Sequence, residues 1–314
     1  VLSGGANNTR DDKHISKDEL YLINLLPDVG RSTQCSAVSV FGDLSITGST
    51  ITGRILDWIT GSNNQFPRLQ AVVIIQNGSR SVCLIGALGF MGVISGCNDN
   101  GVFAAILDSP TGGAYSSANK RSYPFDLRYA LEHYSTLDQI ADYLKDGNKA
   151  YTYGHLIFLS DATESKVVEN DLSAASQRAV RVFDSALNAG VATWLAPDYS
   201  IGAVNSFVLK GNTNNHVGIT VNEKRWASLI SGLSAAALDG TDEQEKITVG
   251  ELKEIISFDH GDGPGNMADG DLYNSSTQQC IIFQPQTLDL EIYFRDRNGN
   301  LADDPVFETI DLDF

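Results

Sequence analysis

The residues with the most chemical reach in this chain lie between positions 34 and 58. Cys35 opens a stretch of small and β-branched residues, a turn follows, and the returning strand ends in Gly53-Arg54-x-x-Asp57-Trp58. A hairpin of that kind brings Arg54 and Asp57 back beside the cysteine. A guanidinium next to a thiol stabilises the thiolate and lowers its pKa from about 8.5. A carboxylate in the same place orients an amine or the guanidinium itself. By residue type alone, Arg-x-x-Asp is common, and a surface ion pair is the usual explanation of Arg54 and Asp57.

Other constellations are weaker. Of the four cysteines, Cys35, Cys83, Cys97 and Cys280, none forms a Cys-x-x-Cys pair of the kind that holds structural zinc. Each reads singly as a small buried hydrophobe, and spacing does not reveal a disulfide. His14, His133, His155, His216 and His260 include none that accompanies a cysteine in a local nucleophile signature. His155 reads as a hydrogen-bonded strand residue. The Asp/Gly-rich loops at Asp259–Asp271 and Asp296–Asn300 offer hard oxygen ligands but lack the EF-hand order, so turn chemistry explains them better than calcium. Gly86-x-x-Gly89 has no phosphate-cradling lysine, so no nucleotide site is assigned. Asn7-x-Thr9, Asn77-x-Ser79 and Asn274-x-Ser276 fit the glycosylation pattern, which matters only in a eukaryotic secretory pathway.

The elements that must position these residues are legible in outline. With 314 residues, 42% of them hydrophobic, the chain has ample material for a packed core, which excludes global disorder. Lys and Arg number 22 against 39 Asp and Glu, a net charge of −17, so nucleic acid and anionic membrane surfaces are poor partners. No apolar run approaches a membrane span. The chain begins at Val1, and its Asn/Ser/Gly-rich, Lys-poor character fits a lost export signal. Export is therefore the expectation, with a cytoplasmic protein as the other.

Ser16 and Glu19 make a capping box for a short helix that Pro27 should stop. Strands are expected at Ser36–Phe41, Ser49–Asp57, Leu69–Ile75, Ser81–Gly86 and Gly101–Leu107. Helices follow at Pro124–Tyr134 and from a Ser135–Asp138 cap to Lys145. A hairpin at His155–Ser160 and Lys166–Asn170, a strand at Ala203–Leu209, and helices at Glu223–Leu238 and from Thr248 to Ile256 come next. Strands at Gln279–Phe283, Leu288–Phe294 and Val306–Ile310 close the chain. The order indicates one α+β domain with helices covering sheet faces.

The hairpin from Cys35 to Trp58 resembles the opening of the N-terminal-nucleophile hydrolases. It is most similar to the linear-amide group that contains the acyl-CoA:isopenicillin N acyltransferases with related cysteine peptidases, choloylglycine hydrolases and acid-ceramidase-like amidases. That group begins its mature chain with Cys and carries Gly-Arg-(Asn)-x-Asp-(Trp/Phe) on the returning strand; here Ile55 replaces the usual Asn. Further fragments follow in order: Gly96-x-Asn98-Asp99-x-Gly101, the hairpin His155–Asp161 with Lys166–Glu169, Ala203-Val204-Asn205-Ser206-Phe207, and Asp259-His260. The resemblance runs loosely from Cys35 to the C-terminus and fits the acyltransferase-like branch better than the bile-salt branch.

The resemblance implies a four-layered αββα sandwich. Residues 1–34 would be a pro-segment and 35–314 a single catalytic domain freed by cleavage between Gln34 and Cys35. Cys35 would then carry both the thiol nucleophile and an α-amine base that titrates near 7.7–8.0. Arg54 would tune the thiol, Asp57 would hold the new amine, and the Asn205 amide would donate to the oxyanion. Arg225 would stand at the family's late-arginine position, with Asn98 and His260 on the substrate side. Arg225 also reads as a solvated helix residue, and Asn98 as a turn residue first. The partner would be a small-molecule amide, and no cofactor or metal is required. The reading from another class is a non-catalytic binding or structural protein that keeps the fold and stays uncut.

Overall fold

A computed structural model describes residues 2–3, 15–30, 33–109, 118–172, 178–193, 198–237, 246–261 and 264–314 of the chain. His14 and the Asn7-x-Thr9 pattern lie outside the described residues, as do most of residues 1–15.

Two short strands, β1 (Leu2–Ser3) and β2 (Ile15–Ser16), pair in parallel ahead of helix α1 (Lys17–Val29). Ser16 caps α1 with the expected box: its Oγ accepts from Glu19 N at 3.1 Å, and its own N–H donates to the Glu19 carboxylate at 2.8 Å. Pro27 does not stop the helix, which runs two residues further and ends at Gly30. In the last turn a proline removes only one intrahelical bond. Its carbonyl is also taken by the Tyr123 hydroxyl at 2.9 Å.

Strands β3 (Gln34–Val40) and β4 (Ile51–Asp57) form the predicted hairpin. They lie inside a six-stranded antiparallel sheet ordered β12-β3-β4-β13-β14-β15, where β12 is Ser200–Ala203, β13 Thr277–Gln284, β14 Asp289–Phe294 and β15 Glu308–Ile310. A second, seven-stranded antiparallel sheet is ordered β11-β10-β9-β8-β7-β6-β5. Its members are β5 (Gln70–Asn77), β6 (Arg80–Ala87), β7 (Ser95–Asn98), β8 (Phe103–Asp108), β9 (His155–Ser160), β10 (Ser165–Asn170) and β11 (Arg178–Arg181). A five-residue helix, α2 (Gln65–Leu69), precedes β5. Helices α3 (Tyr123–His133) and α4 (Leu137–Lys145) cover the seven-stranded sheet. Helices α5 (Thr220–Ala236) and α6 (Val249–Ile256) cover the six-stranded one.

Three apolar clusters separate these layers. Phe103 and Phe158 from one sheet meet Ala37, Leu56 and Phe283 from the other in the middle cluster. Leu127, Ile140 and Leu144 pack under α3 and α4. Trp226, Leu229, Leu252 and Ile256 pack on the outside of the six-stranded sheet. The molecule is the expected αββα sandwich. At Gly53 the outer helix comes so near that an added Cβ would lie 2.7 Å from Ile256 Cγ2.

Four departures in the strands need correction. β7 falls where only a turn was read, and β11 was not foreseen. The strand expected at Ala203–Leu209 ends at Ala203, because the Glu169 carboxylate takes the N–H groups of Val208 and Leu209 at 3.3 and 3.2 Å and leads the chain out of the sheet. Leu288 adopts φ +61° and so stays outside β14.

Candidate active site

The register of β3 on β4 pairs Cys35 with Leu56 and Ala37 with Arg54, so alternation sends the thiol and Arg54 to the same face, between the sheets. Arg54 Nη2 donates to Cys35 Sγ at 3.3 Å and to the Ile106 carbonyl of the facing sheet at 2.9 Å. Nη1 is held by the Ile55 carbonyl. The thiol is buried, and burial pushes its pKa up; Arg54 works against that rise, while Asp57 and Asp108 add to it.

Asp57 pairs with Gln34 rather than Cys35, and alternation puts it on the other face of the strand, toward α5. Burial raises its carboxyl to about 6 against the pull of Arg225 and the Thr277 hydroxyl, which donates to Oδ1 at 2.8 Å. The thiol and the carboxylate therefore flank the Cys35 main chain from opposite sides of the sheet.

Asn205 joins these two sides. Its position follows β12, whose last rung pairs Ala203 with Ala37, so its side chain stands where the next rung on Cys35 belongs. Oδ1 accepts the Cys35 N–H at 2.5 Å. Nδ2 donates to the carbonyls of Asp108 at 2.7 Å and Thr33 at 3.4 Å. The side-chain amide thus replaces a backbone peptide as the last unit of the ladder.

Arg225 is fully buried on α5 and is not a solvated helix residue. Nη1 donates to the Cys35 carbonyl at 2.8 Å and to Ser36 Oγ at 3.1 Å. Nη2 donates to Asn205 Oδ1 at 3.0 Å and Asn222 Oδ1 at 2.8 Å. It lies 4.0 Å from the Asp57 carboxylate. Asn222 completes the brace by donating to the Asn205 carbonyl at 3.0 Å. Arg225 therefore positions the cysteine and Asn205 from behind.

Two candidates lie elsewhere. Asn98 is buried with its amide spent on the Leu131 and Tyr134 carbonyls, and its Oδ1 accepts from Asn100 and Val102, so it locks a turn onto the end of α3. His260 pairs with Asp271 and packs on Phe258, neither of which is a partner of Cys35. His155 is, as read, a hydrogen-bonded strand residue: its Nε2 accepts from Asn170 at 3.1 Å and its ring stacks on Tyr123. All four cysteines are free and buried. No cluster of three metal-ligating side chains occurs among the described residues.

Asp108, at the end of β8, was missed. It lines, with Cys35, Trp58, Ile106 and Tyr123, a cavity of about 20 Å³. Its carboxylate accepts from Tyr123 OH at 3.1 Å and from the Thr33 hydroxyl. Nothing in the sequence around it sets it apart, because its role depends on which strand of the other sheet faces Cys35. Pro27 and Thr33, both N-terminal to Cys35, close the same cavity.

No known family matches the sequence, and no curated protein does. Solved structures do match. A Caenorhabditis elegans N-acylethanolamine-hydrolyzing acid amidase ortholog superposes with a TM-score of 0.55 at 15% identity, covering 80% of this chain and 93% of that one. A mutant of the conjugated bile acid hydrolase from Clostridium perfringens gives 0.50 at 16%, covering 89% and 97%. Penicillin V acylase from Agrobacterium tumefaciens gives 0.50 at 13%, covering 88% and 86%. The layers, the sheet orders and these likenesses together establish that the chain has the sandwich fold of the N-terminal-nucleophile hydrolases.

Proposed function

We propose that this chain is an amidase of the N-terminal-nucleophile type, in which Cys35 becomes the first residue and the nucleophile after cleavage of the Gln34–Cys35 bond. One observation carries the reading. The N–H, the carbonyl and the sulfur of Cys35 are each gripped by a residue singled out from the sequence: Asn205, Arg225 and Arg54. In an internal core strand the N–H and carbonyl are paired by neighbouring backbone, and a cysteine sulfur needs no partner. Here three buried polar side chains take all three groups, an arrangement that is costly unless every member is paired.

The chemistry follows from the geometry. Once free, the α-amine takes the thiol proton and the sulfur adds to the amide carbonyl. Asn205 Nδ2 has two N–H groups. One stays on the Asp108 carbonyl, and the other, now on Thr33 O, becomes available to the oxyanion when the segment leaves. Collapse expels the amine, which carries off the proton, and leaves a thioester on Cys35. Water, deprotonated by the α-amine, hydrolyses that thioester; a second amine in its place would make the enzyme an acyltransferase. Arg225 holds the Cys35 carbonyl still throughout, and Asp57, beside Arg225 on that side of the sheet, would hold the new amine.

Intact-mass measurement tests the proposal. The wild type should lose residues 1–34 and Cys35→Ala should stay whole, and the processed protein should hydrolyse members of a panel of N-acyl amides. Full-length species from both would favour the non-catalytic reading instead.

A further inference from the structure

Thr33 makes two contacts that a substrate would have to make in its place. Its carbonyl accepts from Asn205 Nδ2 at 3.4 Å, and its hydroxyl donates to Asp108 Oδ2. Both partners are buried, both are fixed from behind, and both belong to the part of the chain that stays. Arg225 holds the Asn205 amide, and the Tyr123 hydroxyl holds the other Asp108 oxygen at 3.1 Å. In a threonine the hydroxyl sits on the second carbon from the carbonyl. The spacing between oxyanion donor and carboxylate is therefore that of a β-hydroxyacyl group.

We infer that Asp108 is a specificity-determining residue, and that the site takes amides of β-hydroxy acids, whose carbonyl would lie on Asn205 and whose hydroxyl would donate to Asp108. This rests on the amidase reading above. The acyl chain beyond the hydroxyl would run along Leu56, Trp58, Ile94 and Pro124, which line the cavity that Pro27 and Thr33 now close. The step itself is unchanged: the thiol adds to the carbonyl, the amine departs with a proton, and the β-hydroxyl is neither oxidised nor eliminated. A hydrogen bond to a charged acceptor discriminates strongly against an analogue that lacks the donor, since the buried carboxylate then loses a partner.

The test compares β-hydroxyoctanoyl, α-hydroxyoctanoyl and octanoyl amides of one fluorogenic amine, with processed wild type and with Asp108→Asn and Asp108→Ala. Wild type should favour the β-hydroxy amide over its deoxy analogue by about tenfold or more in kcat/KM. The α-hydroxy isomer should gain nothing. The preference, read as the ratio of β-hydroxy to octanoyl turnover within each variant, should shrink in Asp108→Asn and vanish in Asp108→Ala. The within-enzyme ratio needs no variant, so a misfolded Asp108→Ala does not spoil the test. Equal turnover of β-hydroxy and deoxy amides by wild type would overturn this inference and leave the amidase intact. No turnover of any amide by a processed chain would overturn the amidase reading, and this inference with it.

Discussion

A guanidinium 3.3 Å from a buried thiol sets two effects against each other. Burial makes Cys35 a weaker acid, Arg54 makes it a stronger one, and burial is the larger of the two. Removing Arg54 leaves burial unopposed. In the processed protein, Arg54→Gln should therefore move the pH profile of iodoacetamide alkylation at Cys35 upward. Reaction at neutral pH should slow about tenfold for every pH unit by which the midpoint rises. An unmoved profile would show that Arg54 serves packing alone. Cys35, Arg54 and Asp57 were legible in the sequence because a hairpin register is a local property. Asp108 was not, because it meets Cys35 only through the stacking of two sheets, and no spacing along one strand encodes that.

Helix α1 is fastened across the site by polar contacts. Asn24 donates to the Gly89 carbonyl and accepts from Met91 N–H, at 2.9 and 2.7 Å. Asp28 accepts from the Ser122 hydroxyl at 2.6 Å. Burial, helped by Asp108 and Asp126, raises the Asp28 carboxyl to about 6, while Ser122 and the Tyr123 backbone pull the other way. A carboxyl whose folded pKa lies above its free value of about 3.9 keeps its proton in the docked state, so docking is tightest below about pH 4 and weakens as pH rises through about 6. Hydrogen exchange of the α1 amides in the uncut Cys35→Ala chain should accelerate over that interval beyond the intrinsic pH effect. Asp28→Asn should flatten the change; an identical profile in both would remove Asp28 as its source. The capping box at Ser16 announced its helix, since a cap is written within four residues, and Thr248 makes the same box with Glu251 at the start of α6. The ends of β12 and β7 were hidden, because Glu169 and the turn locked by Asn98 set them from elsewhere in the fold.

At the scale of the whole molecule, function depends on how closely the layers stack. Gly53 sits on β4 beside Arg54, and a methyl group there would press on Ile256 Cγ2 at 2.7 Å. Gly53→Ala should cost about 1–3 kcal/mol, read as a lower denaturant midpoint at an unchanged m-value. A midpoint equal to wild type would mean that α6 gives way freely. The four-layer order was legible only through the resemblance. Periodicity marked most strands and helices but is silent on which face of a sheet meets which.

β3 begins at Gln34, so among the described residues a single residue on the N-terminal side of the Gln34–Cys35 bond is woven into the six-stranded sheet. Severing the chain at that point would unpick one stitch from the fabric. The newborn amino group would find its neighbours already assembled, and only the departure of the severed segment would stand between the cut and a working catalyst.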